Sequence, residues 1–224
     1  MSVPTRLAPV QTVEVSGETM ALRGDRTLYW PRHRWLIAAD LHLGKVQSLR
    51  RDGVALPDAI VEADLARLAT AVRESDATRL VVLGDLVHDA HGLTPALVAR
   101  VARWRETVQM PIALVPGNHD RRVEAIPASW DIETWGAVVD EPPFRFSHEA
   151  PETDGGFAWH GHVHPAVNLR GALDHLRLPC FVVGERAGIL PAFSALTGGD
   201  ASPRPSGVRH YVVVDGQVAQ MPTR

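Results

Sequence analysis

Three short apolar runs in the first half of the chain each end in polar residues. The runs are WLIAA, LVVL and IALV, and they begin at Trp35, Leu80 and Ile112. None of them alternates apolar with polar positions, which is typical of strands buried on both faces of a mostly parallel sheet. The sequence therefore predicts three central strands in this half.

Two stretches with a helical period separate these runs. Pro57 stands at the start of the first stretch, and Thr94 with Pro95 provides an N-cap and a first helical residue for the second. The apolar positions are Ile60, Val61, Leu65, Leu68 and Val72 in the first stretch, and Leu97, Val98, Val101, Trp104 and Val108 in the second. This alternation predicts βαβ units, whose ligand sites lie beyond the carboxyl ends of the strands.

The second half of the chain carries short strand-like runs with few helical stretches between them. The main runs are FRFSHE, GFAWHGHVH, LPCFVVGE and RHYVVVDGQVAQM, and Asp215-Gly216 between apolar flanks is a strong hairpin signal. Residues 11–30 contain three further strand-like segments, which we expect to form a meander on one sheet. Together the two halves predict an α/β fold of two packed sheets flanked by helices, in a single domain over residues 1–224.

Composition and charge narrow the class of protein. Hydrophobic residues make up 45% and charged residues 22% of the chain, so neither disorder nor a coiled coil is indicated. The net charge of −3 gives no overall basic field, so contact with nucleic acid must rely on local patches or bound metal.

Cys180, in an apolar setting, is expected to be a buried hydrophobe. Because there is no leader pattern and no apolar run of roughly 20 residues, we expect a cytoplasmic protein without membrane spans.

Polar residues with metal-binding side chains gather at the ends of the predicted strands. They are Asp40 and His42 after the first strand, Asp85 after the second, Asn118 and His119 after the third, and His148, His162 and His164 in the second half. Carboxylate, amide and imidazole groups together suit Mn²⁺, Fe or Zn²⁺, and this set is too rich for one structural ion. We therefore expect two divalent metal ions with a bridging carboxylate, an arrangement that hydrolyses phosphate esters.

The same residues follow a known order of motifs. DLH, GDLVHD, GNHD, a separate histidine and GHVH occur in this order, and the chain resembles the calcineurin-like metallophosphoesterases over nearly its whole length. The resemblance implies a four-layer αββα sandwich of two mixed β-sheets. It also implies that one metal is held by Asp40, His42, Asp85 and His164, and the other by Asp85, Asn118, His148 and His162. In this assignment Asp85 is the bridge between the two ions.

Neighbouring polar residues receive supporting roles or none. His119 is not a ligand in the family pattern and stands over the substrate, as a general acid or as a stabiliser of phosphate oxygens. We expect His160 to pack nearby or to hydrogen-bond a ligand. Asp89 is taken to complete a G-D-x-x-D motif that begins at Gly84, and it is expected to make a structural hydrogen bond. Asp120 either orients His119 or stabilises its loop. His88 receives no role.

A narrower resemblance indicates a substrate. DLHLGKVQSLRRDGVALP, PGNHDR, HGHVHP and ILPAFSALTGG are similar to the bacterial ligase-associated DNA-damage-response phosphoesterases. This similarity implies manganese-dependent cutting of DNA, in single strands or at ends, within a repair system that contains a DNA ligase and a helicase. Asp85, Asn118 and His119 are then the catalytic residues. The sequence does not decide between a monomer and a homodimer.

Lys45 and Arg121 are candidates for contact with a flanking phosphate, and a solvated charged surface is the alternative interpretation.

Two other functions compete with a DNA nuclease. The same metal chemistry could act on small molecules, in a phosphomonoesterase or a cyclic-nucleotide phosphodiesterase, because these enzymes differ mainly in the shape of the substrate groove. A non-enzymatic adaptor that binds a protein partner would lack ligands, whereas here every expected ligand is present.

Overall fold

Two β-sheets make up most of the fold in the computed structural model, which describes residues 8–123, 126–151, 155–170, 175–201 and 205–222. The first sheet has seven strands that lie side by side in chain order. They are β1 (Val10–Val15), β2 (Glu18–Arg23), β3 (Leu28–Trp30), β4 (Trp35–Ala39), β5 (Arg79–Leu83), β6 (Ile112–Val115) and β7 (Ile132–Thr134). β1 to β3 form the predicted meander and pair antiparallel, as do β3 and β4, whereas β4 to β7 run parallel.

The three central strands predicted from the apolar runs are β4, β5 and β6. All residues of β6, and all but the first residue of β4 and β5, are buried. Ile37 and Val81 pack in the core between the sheets, whereas Leu36 and Leu80 pack in a second cluster with the helices. Both faces of these strands are covered, which is why their sequences show no polar alternation.

Three α-helices pack against the outer face of the first sheet. They are α1 (Lys45–Arg51), α2 (Ala59–Glu74) and α3 (Pro95–Thr107). The N-cap of α3 is the predicted one, since Thr94 Oγ1 accepts the N–H of Leu97 at 3.3 Å. α1 is too short for its helical period to be recognised in the sequence. Gly44, at its N-cap, has a φ of 95°, and a Cβ there would lie 3.0 Å from the backbone of Gly92, so the position requires glycine.

The second sheet is mixed and has nine strands. They are β8 (Val138–Glu141), β9 (Phe144–Ser147), β10 (Phe157–His160), β11 (Pro165–Arg170), β12 (His175–Val183), β13 (Ala187–Ile189), β14 (Asp200–Ala201), β15 (Arg209–Val214) and β16 (Gln217–Gln220). Their order is β14-β11-β12-β13-β10-β9-β8, with β15 beside β12 and β16 beside β15. β9, β10 and β13 are parallel neighbours, and the predicted hairpin at Asp215-Gly216 joins β15 to β16.

The core between the two sheets is rich in aromatic residues. Trp30, Phe146, Trp159 and Phe181 are fully buried there, among aliphatic residues from both sheets. Burial of side chains of this size contributes about 1.5–3 kcal/mol each relative to exposure, so this interface is a major source of stability. It also fixes the two sheets relative to each other, which matters because both sheets supply polar residues to the same edge.

The fold class is the predicted one, with two mixed sheets and outer helices. Within the described ranges, however, all three α-helices belong to the first sheet. A smaller cluster on the other side of the second sheet, around Cys180 and Val182, is formed by strand and loop residues. Most connections between β8 and β16 are too short to contain a helical crossover, which explains the difference. None of the helices in the described part of the chain is long and apolar enough to cross a membrane.

Candidate metal centre

The carboxyl ends of β4, β5 and β6 lie side by side at one edge of the first sheet, because the register of the parallel strands ends them level. Pairing continues beyond the first two strands. The N–H of Asp40 donates to the carbonyl of Gly84 at 3.1 Å, and the N–H of His42 donates to the carbonyl of Asp85 at 2.8 Å. The first two motifs are therefore held together by backbone hydrogen bonds.

Five of the predicted ligands have a left-handed backbone conformation. The φ angles of Asp40, His42, Asp85, His162 and His164 lie between 47° and 68°. Such a conformation costs on the order of 1–2 kcal/mol for a residue with a Cβ and persists only where the surrounding structure enforces it. Backbone strain is thus concentrated where the polar side chains meet, which is typical of a functional site.

The second sheet delivers three histidines to the same edge. His148 follows β9, and His162 and His164 follow its parallel neighbour β10. Gly161 permits a close approach of the two sheets, since a Cβ at this position would lie 2.7 Å from Asp40 Oδ2. The N–H of His162 donates to the same Oδ2 at 3.1 Å. A hydrogen bond therefore joins the Asp40 carboxylate of the first sheet to the loop after β10 that carries His162.

One group of potential ligand atoms comes from Asp40, His42 and His164, all within 4.8 Å of one another. The Nε2 atoms of His42 and His164 face each other at 3.4 Å. Asp40 is fully buried, and its Oδ1 lies 3.1 Å from His164 Nε2 but has no hydrogen-bond partner among the described residues. Burial lowers the pKa of His42 to about 3 although Asp85 opposes the shift, so the imidazole is neutral, as a metal ligand must be.

A second group comes from Asp85, His148 and His162. His148 Nδ1 donates to the carbonyl of Leu83 at 3.1 Å, which directs Nε2 toward the centre. There, Nε2 lies 3.0 Å from Asn118 Oδ1 and 3.1 Å from His162 Nδ1. Burial alone would lower the pKa of His148, but its hydrogen bond with Asp85 raises the pKa overall. The surroundings of Nε2 thus favour a positive charge.

Asp85 lies between the two groups. Its Oδ2 is 3.8 Å from His42 Nε2, and its Oδ1 is 3.3 Å from His148 Nε2. Oδ1 also accepts the backbone N–H of His119 at 3.0 Å. Burial raises the pKa of Asp85, but the hydrogen bond and charge of His148 outweigh burial and lower the pKa to about 2. An ionised carboxylate therefore directs one oxygen toward each group, as a bridging ligand does.

These groups fit divalent metal ions by the chemistry of their donor atoms. Carboxylate and amide oxygens are combined with imidazole nitrogens, a set that suits Mn²⁺, Fe or Zn²⁺. The unpartnered Oδ1 of Asp40 and the facing ring nitrogens of His42 and His164 are costly arrangements unless a cation lies between them. The structure therefore contains a candidate two-metal centre at this edge.

His88 is the residue of this region that the sequence patterns did not reveal. Its Nδ1 lies 3.3 Å from His42 Nδ1, and its ring stacks on His119 with 5.0 Å between centroids. The side chains of His42, His88 and His119 form a third group of potential ligand atoms. The error lay in counting residues. His88, and not Asp89, is the third residue after Asp85 and therefore stands at the last position of the G-D-x-x-D motif.

Asp89 and His160 have supporting positions. Asp89 makes the expected structural hydrogen bonds, since its carboxylate accepts the hydroxyl of Ser48 and the N–H of Gly92, both at 2.7 Å. His160 is buried and donates from Nδ1 to the carbonyl of Gly161 at 3.1 Å. Neither residue belongs to a group of potential metal ligands found in the described part of the chain.

Asp120 stabilises the loop after β6 and makes no hydrogen bond to the His119 ring. Its Oδ1 accepts the N–H of Val87 and its Oδ2 accepts the N–H of Gly117, both at 2.9 Å. The carboxylate therefore joins the loop that follows β5 to the loop that carries Asn118. Burial raises the pKa of Asp120, and the two backbone hydrogen bonds oppose that shift.

We expect Asp120→Ala to lower the free energy of unfolding by about 2–5 kcal/mol, because two buried N–H groups lose their acceptor. Asp120→Asn keeps one acceptor oxygen, and about half of that loss is expected. Urea denaturation of the metal-free protein measures both changes, with Glu106→Ala on the exposed side of α3 as a control. A loss below about 1 kcal/mol for Asp120→Ala would contradict this role.

Lys45 and Arg121 differ in their relation to the centre. Lys45 is the first residue of α1, and burial lowers its pKa, while the carboxylates of Asp40 and Asp85 oppose the shift. Arg121 is half-exposed, and its guanidinium pairs with Glu149 at 2.9 Å. Lys45 therefore lies within the electrostatic field of the centre, whereas the charge of Arg121 is matched by a surface carboxylate.

Comparison with known proteins agrees with the geometry. Residues 33–182 match the model of a family described as Calcineurin-like phosphoesterase. The crystal structure of Pseudomonas putida nuclease MPE superimposes with a TM-score of 0.84, is 37% identical in sequence, and the match covers 95% of this chain and 100% of that chain. A search of the curated proteins finds no match. The chain belongs to the calcineurin-like phosphoesterase family and is a metal-dependent hydrolase of phosphate esters.

Proposed function

We propose that this protein is a nuclease that hydrolyses phosphodiester bonds in DNA, in single strands or at strand ends, and that it acts in bacterial DNA repair. The likeness to Pseudomonas putida nuclease MPE over 95% of the chain is the observation that carries this proposal. The candidate metal centre supports it, because paired divalent ions are suited to hydrolysis of phosphate diesters. The single domain of residues 1–224 would contain the whole active site.

We assign the ligands of the two ions as the motif order implies. Asp40, His42, Asp85 and His164 hold one ion, and Asp85, Asn118, His148 and His162 hold the other. The two groups of side chains described above, with one oxygen of Asp85 directed toward each, support this assignment. When bound, the ions supply positive charge to the phosphate oxygens and activate water as the nucleophile. Manganese is the proposed metal, with Fe and Zn²⁺ as alternatives.

His119 is assigned the protonation of the leaving oxygen. Its Nδ1 donates to the carbonyl of His88 at 2.5 Å, so Nε2 is the atom available to the substrate. That atom is 3.8 Å from Asp85 Oδ2, and the side chain is 26% exposed, so a substrate can reach it. Asn118 adds its amide oxygen to the ligands, and Lys45 and Arg121 contact flanking phosphates.

The cellular setting is part of the same proposal. A DNA ligase and a helicase as partners in repair follow from the narrower resemblance of the sequence. A cytoplasmic location is proposed with them, and the assembly is either a monomer or a homodimer. The partner proteins are testable by co-purification of the full chain with each candidate.

The proposal predicts Mn²⁺-dependent cutting of DNA. Metal-stripped protein should cleave a labelled single-stranded oligonucleotide after Mn²⁺ is restored, and Asn118→Ala, which lacks one ligand oxygen, should cleave it at least about a hundredfold more slowly. A simple phosphomonoester is assayed in parallel. Rapid turnover of the monoester with intact DNA would overturn the nuclease assignment in favour of a phosphomonoesterase, and rapid turnover of a cyclic nucleotide would favour that class of phosphodiesterase.

A further inference from the structure

A small cavity with a positive lining opens beside the candidate metal centre. It has a volume of about 200 Å³ and lies between the segment Ala195–Gly199 and the start of β11. His164, a potential metal ligand, forms part of its wall, and Arg26 and Arg177 form two other parts. No aspartate or glutamate is among the described residues that line it. The described lining of the cavity is therefore positively charged and lies next to the centre.

Arg26 brings a half-buried charge that lacks a counter-ion. Its side-chain hydrogen bonds in the described structure all use Nη1, which donates to the carbonyls of Ala192, Phe193 and Ser194 at 3.1–3.4 Å. Three of the five guanidinium N–H groups, on Nε and Nη2, are therefore available to a ligand. No carboxylate in the described ranges lies within 4.0 Å of Arg26. The three carbonyls hold the guanidinium in a fixed orientation.

The surroundings of Arg26 leave its charge unbalanced. The carboxylate of Asp64, which acts on the charge of Arg26, already pairs with Arg67 at 2.9 Å and accepts the N–H of Ala195 at 3.0 Å. Burial, together with the charge of Arg67, lowers the pKa of Arg26 to about 10, so the side chain stays charged at neutral pH. Two arginines share one carboxylate here, and a bound anion would restore the balance.

Arg177 and Thr197 complete the polar lining. Arg177 is half-exposed on β12, and Asp200, its ion-pair partner in the described structure, lies 3.9 Å away with a side chain that is 90% exposed. Such an exposed ion pair contributes little to stability, so the guanidinium of Arg177 can also bind an anion other than Asp200. The hydroxyl of Thr197 is buried and has no hydrogen-bond partner among the described residues. A buried hydroxyl without a protein partner is unusual, and it can donate to a ligand.

We propose that this cavity binds one phosphate group of the substrate strand, adjacent to the phosphate that is cleaved at the metal centre. The inference rests on the proposed nuclease function and names a subsite for it. A phosphate diester offers two charged oxygens, which match the donors of Arg26, Arg177 and Thr197. A volume of 200 Å³ equals about seven waters at roughly 30 Å³ each, enough for a phosphate group with its hydration. Arg26 and Arg177 also provide a local positive patch for contact with DNA, which the overall net charge of −3 does not provide.

Binding of a fluorescent single-stranded oligonucleotide to the metal-free protein, followed by anisotropy at several salt concentrations, tests the subsite. Arg177→Ala should weaken binding about tenfold and reduce the slope of log affinity against log salt by about 0.7, the value for one phosphate contact. Arg103→Ala removes the same charge from the exposed side of α3 and should change affinity less than about twofold. Equal effects of the two substitutions would overturn the subsite.

Thr197→Val separates a ligand contact from a structural role. The substitution removes an unpartnered hydroxyl while keeping the shape of the side chain, so the melting temperature should stay the same or rise. Oligonucleotide affinity should nevertheless fall about threefold to tenfold. An unchanged affinity would remove Thr197 from the subsite, and an unchanged affinity in both Thr197→Val and Arg177→Ala would overturn the proposal.

Two further assays distinguish failure of the subsite from failure of the nuclease assignment. With Mn²⁺ bound, Arg177→Ala should reduce kcat/KM for the oligonucleotide about tenfold, mainly through KM, and leave turnover of bis(p-nitrophenyl) phosphate unchanged, because that substrate carries a single phosphate. DNA cleavage without any Arg177 dependence overturns only the subsite. A wild-type protein that neither binds nor cuts DNA overturns both. Arg177-dependent binding of inorganic phosphate, without Arg177-dependent binding of the oligonucleotide, overturns the assignment to a strand.

Discussion

Asp85→Asn is expected to reduce phosphodiester hydrolysis about a thousandfold or more, because Asp85 is the proposed bridging ligand of both metals and several kcal/mol of transition-state stabilisation depend on them. Asparagine is the appropriate replacement. The φ of Asp85 is 49°, and asparagine tolerates this left-handed conformation better than alanine does. The amide also preserves the size of the side chain, so the loss can be attributed to the missing negative charge.

Metal content and activity should fall together in this variant. Elemental analysis after incubation with Mn²⁺ should give fewer than two ions per chain, while circular dichroism should match the wild type. Asp89→Asn is the matched control, since Asp89 bonds Ser48 and Gly92 and belongs to none of the ligand groups in the described structure. Retention of two metals and more than about a tenth of the activity by Asp85→Asn would remove Asp85 from the bridging position.

His119→Ala is expected to slow cleavage of DNA by about 10²–10⁴-fold, the range for loss of a general acid. The loss should be much smaller for bis(p-nitrophenyl) phosphate, because nitrophenolate leaves without a proton. Both metals should remain bound, since the proposed ligands are intact. The measurement is kcat for the two substrates at saturating Mn²⁺, with His91→Ala as a control on an exposed histidine of the turn Ala90–Gly92.

The ratio of the two losses identifies the role of His119. A large loss on DNA alone supports proton donation from Nε2. Equal losses on both substrates would mean that His119 stabilises the phosphate oxygens instead. His88→Ala is a useful companion variant. It removes the ring that stacks on His119 but keeps the backbone carbonyl of His88, which accepts the N–H of His119 Nδ1 and orients that ring.

Local patterns were sufficient for the three central strands of the first sheet and for two of its helices. β4, β5 and β6 were predicted because each is covered on both faces and therefore has an unbroken apolar sequence. α2 and α3 were predicted because one side of each packs on the sheet and repeats with the helical period. α1 was not predicted, since seven residues show too few turns to establish a period. The second half was predicted to contain few helices, but the sequence did not predict that the three α-helices of the described residues would all pack on the first sheet.

Motif order identified most of the polar residues that meet at the candidate centre, but it missed His88. The five left-handed residues at the strand ends also have no clear signal in the sequence, because aspartate and histidine occur in many conformations. The directions of the two Asp85 oxygens depend on His42 and His148, which come from different sheets. No local pattern contains that information.

The sequence by itself determined the three central strands and the two longer helices of the first half, the family, and most of the residues able to bind metal. Only the tertiary structure decided which of these residues meet, how Asp85 lies between two groups, and that Arg26 and Arg177 line one cavity with His164. The physical reason is distance along the chain. Arg26 bonds a carbonyl 168 residues away, at Ser194, and this contact exists because the two sheets pack through a shared core. Periodicity records which face of an element is buried, whereas packing decides what lies opposite it.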